Sequence, residues 1–313
     1  MNKPLVSIQC LVYNHEPYLR QCLDGFVMQK TNFPFEAIIH DDVSTDNSVA
    51  IIREYAEKYP DIIKPIYEKE NQYSKHDGSL RKIILAAFSP YSKYIAICEG
   101  DDYWTDPYKL QKQVDYLDNH PECGLVYTNA MVLNQIDGKL YKTSLPQQAD
   151  FETLLFSSPI MTLTTCYRAD IASKYSIDIL RDKTWQMGDL PLWLYIASQS
   201  EIKYLPHVTS VYRVLNSSAS HSNSIDKSIN FCMSSYKIRK FFAEKYYRQQ
   251  YIKKICINHI NELMKLAVSY DKSLSGYTAK MAIKDSVFSP KVWIKIILYS
   301  TSFGRKYHKR KYS

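Results

Sequence analysis

A short apolar run at residues 94–98 ends directly on a cluster of acidic residues. The run, YIAIC, has the length and the β-branched content of a strand buried on both faces of a parallel sheet. Glu99, Asp101 and Asp102 follow it, and Gly100 allows a close backbone turn between them. Carboxylates beside a buried strand repel one another and resist desolvation. The pattern therefore predicts a site for a cation or for the donors of a ligand, with a solvated acidic turn as the alternative.

The first hundred residues alternate between strand patterns and amphipathic helix patterns. The strand patterns lie at residues 5–13, 35–40 and 62–67, and the helix patterns at 17–27, 51–59 and 80–88. This alternation predicts an α/β fold with a parallel sheet. The strand at 35–40 also ends on carboxylates, Asp41 and Asp42. Because ligands of open parallel sheets bind beyond the carboxyl ends of the strands, both acidic clusters are expected to face one pocket.

The middle of the chain mixes strand and helix patterns. Helices are predicted at 107–118 and 151–157, and strands at 124–133, 139–142, 160–167 and 202–214. Asp137-Gly138 predicts the hairpin turn that joins 124–133 to 139–142. Asp189 precedes an apolar helix pattern, where backbone amides favour a carboxylate. From residue 226 onward strand patterns fade, and two or three helices are predicted.

Charge is divided unevenly along the sequence. Residues 227–313 contain 19 Lys and Arg against 4 Asp and Glu, whereas the remaining residues contain 21 against 28. Near the end, Val292, Trp293, Ile296 and Ile297 lie near one helix face, before a basic tail. This pattern predicts an interfacial segment in peripheral contact with an anionic membrane. The alternative is a helix packed on the rest of the protein, followed by a solvated tail.

Several classes of protein lack their characteristic patterns in this sequence. The seven cysteines are odd in number and scattered, which favours a reduced, cytoplasmic compartment, and no signal peptide is expected. The sequence contains no run of 18 uncharged apolar residues, so no membrane-spanning helix is predicted. Neither HExxH nor CxxC occurs, so a zinc enzyme is not expected. Residues 9–16 contain no glycine, which argues against a dinucleotide-binding loop, and no nucleic-acid-binding motif accompanies the basic C-terminal part.

Four motifs, taken together, resemble the inverting GT-A glycosyltransferases of family 2 over roughly residues 4–220. They are the opening strand that ends at Tyr13, the turn 41–46, the Glu99-Gly100-Asp101-Asp102 motif and Gly188-Asp189. The resemblance implies a GT-A fold, Rossmann-like with a mostly parallel sheet, plus a C-terminal helical extension. It places the catalytic domain at 1–225, with a nucleotide-sugar half at about 1–105 and an acceptor half at about 106–225. The basic extension is then 226–313.

The resemblance also implies roles for single residues. Asp189 would be the catalytic base, and Asp101 and Glu99 would hold Mn²⁺ or Mg²⁺. Residues implied to bind the nucleotide sugar, expected to be a UDP-sugar, are Tyr13, Asn14, Asp41, Asp42, Arg81, Asp102 and Arg213. The implied reaction transfers the sugar with inversion to a glycan or lipid-linked oligosaccharide. The expected location is the cytoplasm, at the inner face of the cell membrane.

Some positions depart from the family pattern. Glu99 stands where relatives usually have Asp, Leu11 replaces a frequent proline and Val43 a frequent glycine. Leu215 stands where relatives often have a histidine, and His221 is a candidate to replace it. These departures leave open a GT-A protein that binds a sugar nucleotide without turnover. A nucleotidyltransferase and a nucleic-acid-binding protein are the further alternatives.

Overall fold

The computed structural model describes residues 3–75, 77–143, 148–175, 185–215 and 224–312. The chain divides into two compact units. The first comprises Met1–Asp150, Ser158–Lys183 and Tyr195–Leu215, and the second comprises Phe151–Ser157, Thr184–Leu194 and Asn216–Ser313. The domain boundary at residue 225 stays a prediction.

The first unit contains the strands and the second contains most of the C-terminal helices. The strands are β1 (Val6–Val12), β2 (Phe35–Asp41), β3 (Ile63–Tyr67), β4 (Tyr94–Ile97), β5 (Tyr103–Trp104), β6 (Cys123–Asn134), β7 (Leu140–Lys142), β8 (Thr165–Arg168) and β9 (Glu201–Val214). The helices are α1 (Glu16–Val27), α2 (Ser48–Lys58), α3 (Ser79–Ala87), α4 (Lys109–Asn119), α5 (Phe151–Phe156), α6 (Ala169–Ser173), α7 (Asp189–Gln199), α8 (Ile225–Lys245), α9 (Ile252–Ser269), α10 (Ser275–Lys284), α11 (Pro290–Ser300) and α12 (Ser302–Tyr312).

The strands form one mixed sheet in the order β3-β2-β1-β4-β8-β6-β9-β5, with β7 paired to β6. β1 pairs in parallel with β2 and β4, and β2 pairs in parallel with β3. This parallel part follows from the strand–helix alternation, because each helix returns the chain to the same edge of the sheet. Pro65 is tolerated because β3 stands at the end of the strand order. The predicted α/β class with C-terminal helices is confirmed.

The apolar stripe of α1 joins the buried strands in one core. Leu19, Cys22, Leu23 and Phe26 are fully buried and share this core with Ile8 of β1. Each large apolar side chain that is buried contributes about 1.5–3 kcal/mol to stability. The packing fixes the strands, and therefore the positions of the turns at their carboxyl ends.

Residues 224–312, the described C-terminal part of the second unit, form five α-helices, α8 to α12, so the prediction of two or three was too low. Tyr247, Asp271 and Ser286 follow α8, α9 and α10, with φ of 56°, 46° and 54°. A left-handed residue ends many helices, but glycine usually occupies that position. Because none of these three residues is glycine, the breaks between these helices have no glycine signal in the sequence.

The predicted strand at 160–167 is wrong in its first half. Residues Thr162–Thr164 form a 3₁₀ turn, and β8 begins at Thr165. Trp104 Nε1 donates to Leu163 O at 2.8 Å, and Gln113 Nε2 donates to Thr164 O at 2.8 Å. Buried side chains thus satisfy carbonyls that a strand would have paired with a neighbouring strand.

The face of α11 predicted to be interfacial is wrong for Val292 and Ile296, which are buried, whereas Ile297 is exposed, and membrane contact of this segment stays a prediction. Val292 and Ile296 are 7% and 4% exposed and pack within the second unit, as does Tyr299. Trp293 is partly buried and donates from Nε1 to Val287 O at 2.9 Å. Among the described residues, no helix combines the length and the apolar character that crossing a bilayer requires.

Candidate functional site

The turns that carry most of the predicted site residues lie side by side at the carboxyl ends of β1, β2 and β4. β1 lies between β2 and β4. Beyond the strands, the Asp42 N–H donates to Val12 O at 2.9 Å, and the Gly100 N–H donates to Leu11 O at 3.0 Å. These bonds bring together the predicted residues Tyr13, Asn14, Asp41, Asp42, Glu99, Asp101 and Asp102.

Asp41 ends β2 with its side chain buried, at 2% exposure. Its Oδ2 accepts a hydrogen bond from the Ser44 N–H at 3.1 Å. Its Oδ1 is buried and accepts no hydrogen bond from any residue that the structure describes. Leaving such an atom unsatisfied costs about 1–3 kcal/mol, so a ligand hydroxyl that donates to Oδ1 would recover this energy. Tyr13 follows the residue paired with Asp41 and is 50% exposed, so its ring is available for stacking.

The Asn14 side chain holds the turn that follows Asp41. The Asn14 N–H donates to Ser44 Oγ at 2.9 Å, and Asn14 Oδ1 accepts from the Thr45 N–H at 2.7 Å. Asn14 has φ of 56°, a conformation that asparagine tolerates better than most residues. The geometry gives Asn14 a shaping role, and its direct contact with a nucleotide sugar stays a prediction.

The carboxylate of Asp42 is also engaged in hydrogen bonds within the protein. Its Oδ1 accepts from the Gln72 N–H at 2.7 Å, and its Oδ2 accepts from the Tyr73 N–H at 3.0 Å. Its main-chain oxygen accepts from Asn71 Nδ2 at 3.1 Å. The carboxylate therefore fixes the loop at 71–73 beside the Asp41 turn. Its own contact with a nucleotide sugar stays a prediction.

Val43 adopts a left-handed conformation, with φ of 68°. A β-branched side chain is strained there, at a cost of about 1–2 kcal/mol. We expect Val43→Gly to raise the free energy of unfolding by about 1 kcal/mol, because relief of this strain exceeds the added chain entropy of glycine. Urea unfolding measures the change, and Val43→Ala, which keeps Cβ, is the control. A less stable Val43→Gly variant would contradict the strain.

The acidic loop packs closely against a histidine that the sequence reasoning missed. A Cβ atom at Gly100 would lie 2.7 Å from His15 Nδ1. That nitrogen is buried and has no hydrogen-bond partner among the described residues. Burial lowers the pKa of His15, against the opposing charges of Asp101, Asp46 and Asp41. The sequence signal that was overlooked is its position directly after Asn14, in the turn that follows β1.

Gly100→Ala tests this close packing. The added Cβ would also lie 3.0 Å from Val12 Cγ2 and 3.3 Å from Leu11 O, so the loop must shift. We expect a loss of about 1–3 kcal/mol in the free energy of unfolding, measured in urea. Gly276→Ala is the control, because no described atom outside its chain neighbours and its own helix backbone lies within 4 Å of its Cβ position. An unchanged midpoint for Gly100→Ala would show that the His15 ring moves aside freely.

The buried Arg213 of β9 holds the backbone of the acidic loop in place. It is 4% exposed and lies 4.4 Å from the Tyr103 ring centre and 5.1 Å from that of Tyr18. Its N–H donates to Asp102 Oδ1 at 2.7 Å, and its Nη1 donates to Asp101 O at 2.6 Å. Burial, with the charges of Asp101 and Glu99, raises the pKa of Asp102 well above its usual range. These contacts position the loop, and direct contact of Arg213 or Asp102 with a diphosphate stays a prediction.

The donor set at the acidic loop fits a hard cation that takes most of its ligands from a substrate. Within the described ranges, no group of three or more His, Cys, Asp or Glu side chains is placed to hold a metal ion. Glu99 and Asp101 are both partly exposed. Mg²⁺ and Mn²⁺ commonly use one or two carboxylates and complete their shells with phosphate oxygens and water. The residues present therefore fit such an ion.

Two predicted site residues lie apart from these turns in the chain. Arg81 on α3 donates from Nη2 to Ala172 O at 3.3 Å and lies 4.9 Å from the Tyr175 ring centre. Asp189 is the first residue of α7, and its Oδ1 accepts from the Leu190 N–H at 2.7 Å. His221, the candidate to replace the family histidine, lies outside the described residues.

Comparison with solved structures identifies the fold. S. aureus TarS 1-349, in complex with UDP-GlcNAc, aligns with a TM-score of 0.58 at 14% identity, over 98% of this chain and 92% of that chain. The mannosyltransferase PcManGT from Pyrobaculum calidifontis, in complex with GDP-Man and Mn²⁺, aligns with a TM-score of 0.50 at 14% identity, over 97% and 86%. At this identity the likeness shows the fold alone. It confirms the predicted GT-A fold.

Comparison of sequences identifies the family. An uncharacterized protein of Mycobacterium tuberculosis is 38% identical over 211 residues, which make up 66% of this chain and 58% of that protein. The chain thus spans less than two thirds of the length of this relative. The model of Glycosyl transferase family 2 matches residues 7–168, more than half of the chain and all three turns of the site. The chain therefore belongs to glycosyl transferase family 2.

Proposed function

We propose that this protein transfers a sugar from a nucleoside-diphosphate sugar to a glycan or lipid-linked acceptor. The observation that carries the proposal is the convergence, at one sheet edge, of the partly exposed Asp101 and of Asp41, whose buried Oδ1 has no hydrogen-bond partner among the described residues. Family membership supports the same reaction class. UDP is the proposed carrier because TarS binds UDP-GlcNAc, and GDP is the second candidate because PcManGT binds GDP-Man.

The residues at the ends of β1 and β2 would hold the nucleoside. Asp41 Oδ1 would accept a hydrogen bond from a ribose hydroxyl, which satisfies a buried acceptor. The exposed ring of Tyr13 would stack on the base. Asn14 and Asp42 would act mainly by fixing the backbone around this pocket. Arg81 would contact the donor with guanidinium N–H groups other than the one bonded to Ala172 O.

Asp101 and Glu99 would hold Mn²⁺ or Mg²⁺ against the diphosphate. The cation, when bound, neutralises the charge that develops on the leaving group. Asp102 and Arg213 would keep the Asp101 carboxylate in place, because both are bonded into the loop. The longer side chain of Glu99 would reach the ion directly or through a water molecule.

Asp189 would act as the catalytic base. The acceptor oxygen would form a bond to the anomeric carbon as Asp189 takes the hydroxyl proton. The bond between the anomeric carbon and the phosphate oxygen breaks, and the nucleoside diphosphate leaves with the electron pair. Attack on the face opposite the leaving group inverts the anomeric carbon. The Leu190 N–H, which donates to Asp189 Oδ1, would orient the carboxylate.

The proposed setting is the cytoplasm, at the inner face of the cell membrane. A lipid-linked acceptor would be presented there, and the excess of Lys and Arg after residue 226 favours an anionic surface. A nucleic acid is not the proposed partner of these charges, since no nucleic-acid-binding motif accompanies them.

Donor turnover tests the proposal without a known acceptor. The native protein is incubated with UDP-glucose, UDP-N-acetylglucosamine or GDP-mannose in the presence of Mn²⁺, with water as the acceptor. We expect slow release of nucleoside diphosphate from one donor, and NMR of the fresh sugar should show the anomer opposite to that of the donor. Release of the same anomer would overturn inversion. Binding of a nucleotide sugar with no turnover would favour the non-catalytic alternative.

A further inference from the structure

Helix α11 is apolar on two opposite faces. Its inner face is formed by Val292, Ile296 and Tyr299, which are buried within the second unit. Its outer face carries Ile294 and Ile297, which are 63% and 66% exposed, together with the partly exposed Leu298. A helix on the surface of a globular protein normally has polar residues on its outer face. The outer face of α11 therefore has the composition of a surface that another phase or molecule covers.

The segments next to α11 carry further exposed apolar side chains. Phe288 precedes α11 and is 72% exposed. The Trp293 side chain donates a hydrogen bond to Val287 O, in the residue just before Phe288. Phe303 in α12 is 79% exposed, and α12 runs so close to α11 that a Cβ at Gly304 would lie 2.1 Å from Leu298 O. We call the exposed side chains the outer apolar patch: Phe288, Ile294, Ile297, Leu298 and Phe303.

The charged residues of the segment that carries the outer apolar patch have one sign, and one of them, Arg305, is paired with Asp271 beyond the end of α9. Residues 286–313 contain no Asp or Glu and seven Lys and Arg. Lys291 and Lys295 are exposed on α11, three residues before Ile294 and one after it. Asp285, the last acidic residue, is buried and accepts hydrogen bonds from Tyr236 and Lys240. A partner of this surface therefore meets positive charge beside apolar side chains.

We propose that the outer apolar patch inserts into the surface of an anionic bilayer, with the flanking lysines at the lipid phosphates. Lysines around an exposed apolar helix face are typical of interfacial helices, whose long side chains reach the headgroups. Protein–protein interfaces are instead depleted in lysine. The inference rests on the proposed function for its lipid-borne acceptor, but the surface itself is defined by α11 and α12.

Co-sedimentation with lipid vesicles tests the patch in the full chain. One set of vesicles is pure phosphatidylcholine, and the other is an equimolar mixture of phosphatidylcholine and phosphatidylglycerol. We expect the native protein to sediment with the mixed vesicles only. The double variant Ile294→Asp/Ile297→Asp should bind about 100-fold more weakly, because it loses two buried apolar side chains. Lys291→Glu/Lys295→Glu should lose about 30-fold or more, because each lysine near an anionic surface contributes separately.

Ile136→Asp is the matched control, because Ile136 is 64% exposed in the β6–β7 hairpin of the first unit. It should bind vesicles like the native protein. The proposal is overturned if the native protein does not bind anionic vesicles or binds neutral vesicles equally well. It is also overturned if the double isoleucine variant binds anionic vesicles like the native protein. A dimer that analytical ultracentrifugation detects in the native protein, and that the same variant dissociates, would instead assign the patch to a second copy.

Nucleoside-diphosphate binding, measured on the same proteins, separates this inference from the proposed function. All the variants keep the site residues at β1, β2 and β4, so they should bind nucleotide like the native protein. Nucleotide binding without vesicle binding would contradict the proposed membrane surface and leave the proposed function in place. Vesicle binding without nucleotide binding would overturn the proposed function and leave the surface in place.

Discussion

Asp101→Asn is expected to lower kcat/KM for donor turnover about 10³-fold and to remove the effect of Mn²⁺ on nucleoside-diphosphate affinity. Asparagine keeps the shape of the side chain but removes the charge that would hold the cation. A cation at the leaving group stabilises the transition state by several kcal/mol, which corresponds to about this factor. Initial rates of nucleoside-diphosphate release, with Mn²⁺ and with a chelator, measure the loss.

The control for this variant is Asp115→Asn, which changes the net charge equally at an exposed position of α4. It should keep the native rate and the native response to Mn²⁺. If Asp101→Asn still responded to Mn²⁺ like the native protein, the cation would be held elsewhere. Because Asp101 O, and not its carboxylate, accepts from Arg213, the variant should also fold like the native protein.

Asp189→Asn is expected to lower kcat by about 10³-fold and to leave the affinity for nucleoside diphosphate unchanged. An amide cannot take the proton of the acceptor hydroxyl, and a positioned base contributes about 10²–10⁴-fold to such a step. The nucleotide would be held by residues at the ends of β1, β2 and β4, so its binding should not depend on Asp189. Single-turnover rates and calorimetric titration separate the two effects.

Asp226→Asn, in the exposed first turn of α8, is the control for the Asp189 variant. It should turn over donor like the native protein. A kcat for Asp189→Asn within a few-fold of the native value would show that another group takes the proton. A loss of nucleotide affinity equal to the loss in kcat would instead make Asp189 part of the donor site.

The strands and the acidic turns could be predicted because their signals are local. Buried strands such as β1, β2 and β4 appear as continuous apolar runs, and amphipathic helices lie between them. Carboxylates that directly follow such runs must lie at one sheet edge, whatever the details of the packing. The grouping of Asp41 with Asp101 therefore follows from the chain order.

The different roles of the individual site residues could not be predicted, because these roles depend on hydrogen bonds between segments that are distant in sequence. Asp41 and Asp42 are adjacent in sequence, yet Asp41 has a buried oxygen with no partner in the described part of the chain, and Asp42 accepts hydrogen bonds from two backbone amides of the loop at 71–73. Arg213 reaches the acidic loop from 112 residues away. The two apolar faces of α11 present the same difficulty, since the sequence does not say which face the other helices cover.

The most direct test of the account is a calorimetric titration of the native protein with UDP and with GDP, each in the presence of Mn²⁺ and then of a chelator. The account predicts that one of the two nucleotides binds with Mn²⁺, that a chelator weakens this binding, and that Gly276→Ala, remote from the acidic loop in the chain, binds like the native protein. Failure of both nucleotides to bind under either condition would contradict a nucleotide-sugar site at the ends of β1, β2 and β4.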